Sequence, residues 1–230
     1  MKNNKIKIGL IGVAAIALVA TTMASASSYS ESKNKIWSPD TITQIRDLEA
    51  FTKIHIKGAV KLDVTGGEDQ NVAIKIDEDY ADYLLTSVED GTLLIDMETK
   101  GKDKRWKGPK IEVTISMQAL ESLVLDGAMD GKFTNLNGGD LDVSINGAGN
   151  LSIEGSCNTL RVRLNGAGNV EAENFKCKNA DVRLSGAGNI EAYATEKAEI
   201  RLSGIGNIDI TGNPKEVSKH KGGFGSIDIH

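Results

Sequence analysis

The chain has 230 residues and a formal net charge of −5, which argues against a nucleic-acid partner because nucleic acid is bound by a strongly basic face. Its 25 glycines, three prolines and 4% aromatic residues are typical of many tight turns around a thin aliphatic core, and they argue against a helical protein. The length suits one domain.

The first segment has the pattern of a signal peptide. A lysine-containing start precedes an uncharged apolar run at 8–20 and the small residues Ala24-Ser25-Ala26. The run is short for a membrane-spanning helix, which needs about 20 apolar residues. We expect residues 1–26 to be cleaved near Ala26 and the protein to reach the periplasm, the cell surface or the medium.

A polar lead-in at 27–50 is followed by short alternating strands in 51–120. The run from Phe51 to Val64 predicts strand, turn and strand around Gly58, and can be a first coil of the repeat described below. Asp90-Gly91 predicts a hairpin turn, and one or two helical turns are expected between 77 and 85. We predict that 51–120 contribute capping strands, an antiparallel meander at the N-terminal end, because an open coil exposes unpaired strand edges.

One basic loop, 100–110, contains a tryptophan. Our hypothesis is that it binds an anionic glycan or lipid headgroup through cationic and aromatic groups, with these contact residues: Lys104, Arg105, Trp106 and Lys107. The alternative is a solvated hairpin tip, which is what charged runs usually are.

A five-residue motif recurs in 121–230. The four clear copies begin with Asn or Ser, continue as Gly-Ala-Gly or Gly-Ile-Gly and end with Asn, and they occupy 146–150, 165–169, 185–189 and 203–207. Degenerate copies at 126–130 and 222–226 extend the repeat to six units of 18–20 residues. Each motif lies between arms that alternate with period two, and no helical periodicity fills the gaps. The sequence therefore predicts an all-β fold, a parallel β-helix (β-solenoid) of about six coils at 121–230, within a single domain at 51–230.

The motif residues have an expected structural role as turns. Two glycines allow positive φ or a close corner, and the following Asn tolerates a left-handed backbone. The turn residues are Gly147, Gly149, Asn150, Gly166, Gly168, Asn169, Gly186, Gly188, Asn189, Gly204, Gly206 and Asn207. The amides of Asn150, Asn169, Asn189 and Asn207 are predicted to bond one another as a ladder that ends at Ser226. A second, weaker ladder is expected from Asn146, Asn165, Ser185 and Ser203.

Stacked coils also predict outward columns of side chains. Two neighbouring columns combine opposite charges and are expected to form a salt-bridged exterior: Ser144, Arg163, Arg183, Arg201 and His220, beside Asp142, Arg161, Asp181, Glu199 and Ser218. A third column is acidic and includes Glu171, Glu191 and Asp209. A cation on these three carboxylates is one hypothesis, and a solvated face is the alternative. We otherwise expect no metal and no cofactor, since the three histidines lack ligand spacing.

The two cysteines, Cys157 and Cys177, occupy equivalent places in neighbouring coils. Stacked Cα atoms lie within the range that a disulfide tolerates, and export would permit oxidation. A disulfide and a pair of free thiols both remain open.

Three kinds of site are weighed against this pattern. A calcium-binding β-roll needs an Asp two residues after the second glycine, where Leu151, Val170 and Ile190 stand instead. A phosphate loop needs a following Lys-Ser/Thr and a helix, and here a strand follows. A carbohydrate-active enzyme stays a minor alternative, because the carboxylates are too regular to form a catalytic cluster, so we expect no catalytic residues.

The repeated [N/S]-G-A-G-N, after an opening F-x-x-I-x-I-x-G, resembles the family called putative auto-transporter adhesin, head GIN domain, from Phe51 to Ile229. The resemblance implies an exported bacterial domain with a right-handed β-helix and no established catalytic residues. We therefore predict a non-enzymatic, adhesin-like binding module of the cell envelope, whose partner is a protein or a glycan. The alternative is a structural or accessory envelope protein that binds another protein, or a second copy, through an open strand edge near Ile227–Ile229.

Overall fold

The structure, a computed structural model, describes residues 40–98 and 109–230. The predicted signal peptide, most of the lead-in and most of the basic loop, including Trp106, lie outside these ranges. The described chain is β-strand with a 3₁₀ helix at Glu78–Tyr83. The strands are β1 Thr41–Arg46, β2 Lys53–Lys57, β3 Ala59–Gly66, β4 Asn71–Asp77, β5 Leu84–Glu89, β6 Thr92–Met97, β7 Ile111–Met117, β8 Ser122–Leu125, β9 Ala128–Asn137, β10 Asp140–Ile145, β11 Ala148–Leu164, β12 Ala167–Leu184, β13 Ala187–Leu202, β14 Ile205–Thr211, β15 Glu216–Lys221 and β16 Phe224–Ile229.

The strands wind into a β-solenoid of about 5 turns, which confirms the predicted fold class and is close to the six coils expected. Each turn crosses two rows of parallel strands that meet at a glycine corner. One row runs β8, β10, the ends of β11, β12 and β13, and β15. The other runs β9, the starts of β11, β12 and β13, β14 and β16.

The N-terminal strands extend both rows in an order that differs from the chain order. β2 and β3 pair parallel with β8 and β9, and the Ala128 N–H donates to the Gly58 carbonyl at 2.7 Å, so Gly58 forms a corner like the later ones. β6 and β7 then pair parallel with the free edges of β2 and β3. The strands β2 and β3 therefore lie between β6 and β7 on one side and β8 and β9 on the other, although all four of these strands follow them in the sequence.

Antiparallel pairing in the N-terminal cap involves fewer strands than the antiparallel meander predicted for 51–120. Antiparallel pairing joins β4 to β7, β1 to β4 and β5 to β6, whereas β2, β3, β6 and β7 pair parallel. The expectation differs because period-two alternation fits either strand direction. Asp90 and Gly91 form the predicted hairpin turn, with φ of 50° and 69°. The lead-in also contributes a strand, β1.

The core is a set of aliphatic columns between the two rows. Val143, Val162, Val182 and Ile200 stack in one such column, and each is at most 1% exposed. The pattern changes at β15, where Lys219 pairs with Ile200 and Lys221 pairs with Leu202. On the other row, Ile227 and Ile229 continue the apolar columns of β14 and are partly buried.

Candidate functional site

The glycine corners bring successive turns of backbone into direct contact. A Cβ atom added to Gly166 would lie 1.7 Å from the Gly147 carbonyl oxygen. Gly168 has φ of 142°, and a Cβ there would lie 1.7 Å from the Gly149 carbonyl oxygen. The first glycine of the motif is thus required by close approach, and the second by close approach and by a backbone conformation that favours glycine.

The Asn residues that close the motif form a continuous hydrogen-bonded ladder along the corner. Each side chain donates through Nδ2 to Oδ1 of the Asn one turn earlier, at 3.1 Å from Asn169 to Asn150, 3.1 Å from Asn189 to Asn169 and 3.2 Å from Asn207 to Asn189. The Ser226 hydroxyl donates to Asn207 at 3.0 Å. The backbone there is not left-handed, in contrast to our expectation, because the positive-φ residues other than glycine in the described chain are Asp90, Asn135 and Asn213.

The second predicted ladder is shorter. Asn165 donates to Asn146 at 3.0 Å, and Asn146 donates to Asp126 at 2.8 Å. Ser185 and Ser203 continue the column and are exposed, and within the described chain their hydroxyls make no hydrogen bond. Two serine side chains are together too short to meet across one strand spacing, whereas Ser226 reaches Asn207 because the longer Asn side chain covers part of the distance.

Next to this column lies the column of arginines. Arg163, Arg183 and Arg201 are Cα partners on adjacent strands, and His220 follows on β15. Arg183 pairs with Asp181 at 3.0 Å, which raises the pKa of the guanidinium. Arg163 and Arg201 form no ion pair with any carboxylate in the two described ranges.

The neighbouring column is neutralised by ion pairs. Arg161 contacts Asp140 at 3.0 Å and Asp142 at 3.5 Å, and Lys197 contacts Glu199 at 2.5 Å. A hydrogen bond from Asn158, followed by one from Arg161, lowers the pKa of Asp140. The predicted salt-bridged exterior is therefore present in this column, while the arginine column next to it keeps unpaired positive charge.

The acidic column lies on the other row. Glu171, Glu191 and Asp209 are Cα partners on adjacent strands. Partial desolvation of its carboxylate, followed by the charges of Glu173, Glu171 and Asp209, raises the pKa of Glu191. No group of three or more His, Cys, Asp or Glu side chains in the described part of the chain is arranged to hold a metal ion.

The cysteines lie in the parts of β11 and β12 that connect the two rows. Cys157 and Cys177 are Cα partners in β11 and β12, 4.5 Å apart, and a disulfide joins them. The bridge links residues 20 positions apart and ties two successive turns together.

Two histidines lie beside carboxylates: His230 is 3.7 Å from Asp209, and His55 forms the closer pair. Its Nε2 lies 2.6 Å from Asp126 Oδ2, and hydrogen bonds from Asn146 and then from His55 lower the pKa of Asp126. Within residues 40–98 and 109–230, His55 hydrogen-bonds to no hydroxyl or thiol, so the pair lacks the nucleophile that a hydrolase of the Ser-His-Asp type requires.

Among the cavities on the described surface, two combine polar and apolar lining residues. A cavity of about 390 Å³ has an apolar floor that includes Leu136 and Phe175 and a rim that includes Asp140 and Arg161. A shallower groove of about 530 Å³ runs over three corner alanines, Ala59, Ala128 and Ala148, and is bordered by Pro109 and Lys110. The predicted contact residues Lys104, Arg105, Trp106 and Lys107 lie outside the described residues, so their role stays a prediction.

The in-register glycine corners, the Asn ladder and the charged columns together define a β-solenoid protein with a repetitive polar surface. The chain belongs to the family described as putative auto-transporter adhesin, head GIN domain, whose model matches residues 50–214. No helix in the described ranges is long and apolar enough to cross a membrane.

Two solved structures are similar to this chain. A putative adhesin from Bacteroides fragilis NCTC 9343 is 24% identical, with a TM-score of 0.67 over 84% of this chain and 98% of that chain. A putative lipid binding protein from Parabacteroides distasonis ATCC 8503 is 19% identical, with a TM-score of 0.46 over 84% and 97% of the two chains. No curated protein matches the chain.

Proposed function

We propose that the protein is exported and works as a non-enzymatic, adhesin-like binding module of the cell envelope, which recognises a glycan or another protein. The observation that supports this most is the repetition of the same outward side chains on successive turns, from Asn150 to Asn207 at the corner and from Arg163 to Arg201 beside it. Such a surface presents equivalent contacts at regular intervals to an extended partner. The family's description, putative auto-transporter adhesin, also supports the proposal.

Two measurements test the export and the absence of catalysis. In fractionated cells, a C-terminally tagged chain should be recovered outside the cytoplasm and shortened by about the length of the signal peptide. An uncleaved cytoplasmic chain would contradict export. The purified protein should release no reducing ends from polysaccharides, and release that rises with protein concentration would show an enzyme.

The glycan hypothesis for the basic loop is tested on an array of immobilised glycans. The variant Trp106→Ala should lose signal from the bound glycans, because an indole flanked in sequence by cationic residues can supply stacking and cation–π contacts. The matched control is Trp37→Ala, which removes the other tryptophan of the chain. Equal binding by the Trp106 variant and the wild type would remove the loop from the binding site.

A second candidate function, binding of a protein through a strand edge, is favoured by the apolar surface at the last turn. Ile205 and Phe224 are Cα partners, 63% and 78% exposed, and the outer edge of β16 pairs with no strand in the described chain. Unpaired edges are templates for strand addition. Sedimentation should show an assembly that Phe224→Lys abolishes. Ile45→Lys, at a position on β1 that is 64% exposed, should leave the assembly intact. A monomer at all concentrations and no bound protein would contradict this candidate.

A further inference from the structure

We propose that the arginine column, Arg163, Arg183 and Arg201, binds a linear acidic polysaccharide whose carboxylate groups repeat along the chain. The proposal rests on the binding function proposed above and names the class of ligand and the surface that takes it.

The first argument is the geometry of the column. The three arginines are Cα partners on consecutive strands, and the residues before them, Val162, Val182 and Ile200, point into the core. Alternation therefore points the guanidinium groups outward, with about 4.8 Å between strands. An extended sugar chain has one residue in about the same length, so carboxylates on successive or alternate sugars meet successive or alternate arginines.

The second argument is unbalanced charge. Like charges directly opposite each other on neighbouring strands are unfavourable, so the column gains from an anion that lies across it. Arg183 has Asp181 as a partner, whereas Arg163 and Arg201 form no ion pair in the described chain. A planar guanidinium fits a carboxylate through two parallel hydrogen bonds, which is a contact that ammonium groups do not provide.

The third argument is the chemistry on either side of the column. Toward the corner lie Asn165, Ser185 and Ser203, which are exposed and uncharged, and the two serine hydroxyls have no hydrogen-bond partner among the described residues. Neutral donors and acceptors of this kind suit the hydroxyl groups of a sugar. Toward the other side, Asp181 and Glu199 are already held by Arg183 and Lys197, which reduces their repulsion of an anionic ligand.

A second copy of the chain is the competing occupant, because Glu171, Glu191 and Asp209 have the same spacing on the other row. The hydroxyl groups of Ser185 and Ser203 favour the polysaccharide. The carboxylates of a second copy would contact the arginines but would give these two hydroxyls no hydrogen-bond partner. The experiment below distinguishes the two occupants.

The test measures binding of the wild-type chain to a linear oligouronate by calorimetry at low and at physiological ionic strength. The probe is compared with the same oligosaccharide after its carboxyl groups have been reduced to alcohols. We expect binding of the acidic form alone, and weaker binding at higher salt because the contacts are exposed.

The variant R163S/R201S should bind about tenfold more weakly, because it loses two exposed charge-assisted contacts. The matched control K132S/K178S removes the same charge from exposed positions elsewhere and should bind like the wild type. The conservative variant R163K/R201K should bind with intermediate affinity, and it keeps the test informative if the serine variant fails to fold.

The proposal is overturned if the wild type does not bind the oligouronate, if the serine and control variants bind it equally, or if the reduced oligosaccharide binds as well as the acidic one. Salt-sensitive self-association that is lost in R163S/R201S, without oligouronate binding, would assign the column to a second copy instead. Binding of neutral glycans alone would overturn the proposal and leave the broader binding function in place.

Discussion

The close stacking at the glycine corner makes a strong prediction for Gly186→Ala. The added Cβ would lie 1.7 Å from the Gly166 carbonyl oxygen, about half of a normal van der Waals separation. That oxygen also accepts the Ala187 N–H at 2.9 Å, and the Gly186 N–H donates to Leu164 at 3.1 Å. The two turns must therefore separate locally, and both hydrogen bonds are strained at once.

The expected cost follows from these contacts. Overpacking costs about 1–3 kcal/mol and two weakened backbone hydrogen bonds add about 2 kcal/mol, so we expect the free energy of unfolding to fall by about 3–5 kcal/mol. In a chain of this length Tm should fall by about 10 °C. Urea unfolding followed by circular dichroism measures the change directly.

The matched control is Gly139→Ala, because a Cβ at Gly139 meets no atom within 4 Å. This variant should be as stable as the wild type or slightly more stable, since alanine restricts the unfolded chain. If Gly186→Ala unfolds within about 1 kcal/mol of the Gly139 variant, the corner is not sterically closed and the reasoning from close approach is wrong.

Three further changes have expected outcomes. Asn169→Ala breaks the ladder on both sides and should lower the free energy of unfolding by about 1–2 kcal/mol in urea, whereas Asn174→Ala, outside the ladder, should change it little. Reduction of the disulfide between Cys157 and Cys177 should lower the free energy of unfolding by about 3 kcal/mol, measured with and without reductant. An unchanged Tm would show that the bridge is absent or inert. Glu191→Gln should raise Tm by about 2 °C at neutral pH, because the raised pKa of Glu191 means that its ionised form is disfavoured in the fold. The gain should vanish as the pH falls and Glu191 itself becomes protonated, and a constant gain at all pH values would refute this cause.

The regular turns could be predicted from the sequence because their register depends on local residues. The backbone of one corner fits only on an equivalent corner, so the spacing of Gly147, Gly166 and Gly186 determines which strands pair. The same equivalence brings the Asn residues together and places Cys157 beside Cys177. Matching positions in the repeat are therefore Cα partners in the structure.

The N-terminal arrangement could not be predicted in the same way. The strands β6 and β7 alternate with period two, but residues 99–108 between them carry no copy of the repeated motif, so the direction and neighbours of these strands depend on long-range packing. The ion pairs show a similar limit. The column positions of Arg163 and Arg183 follow from the repeat, but which of them finds a carboxylate depends on side-chain conformations.

The two lysines of β15 have a consequence for aggregation. A rod with parallel, in-register strands has the hydrogen-bond geometry of a cross-β fibril, and its last apolar layer is a template for more of the same. Lys219 and Lys221 stand in line with Ile200 and Leu202, so a layer added over them would enclose two ammonium groups, each at a cost of several kcal/mol. Templated, amyloid-like growth is thereby disfavoured along this row by two residues that leave the fold beneath them intact.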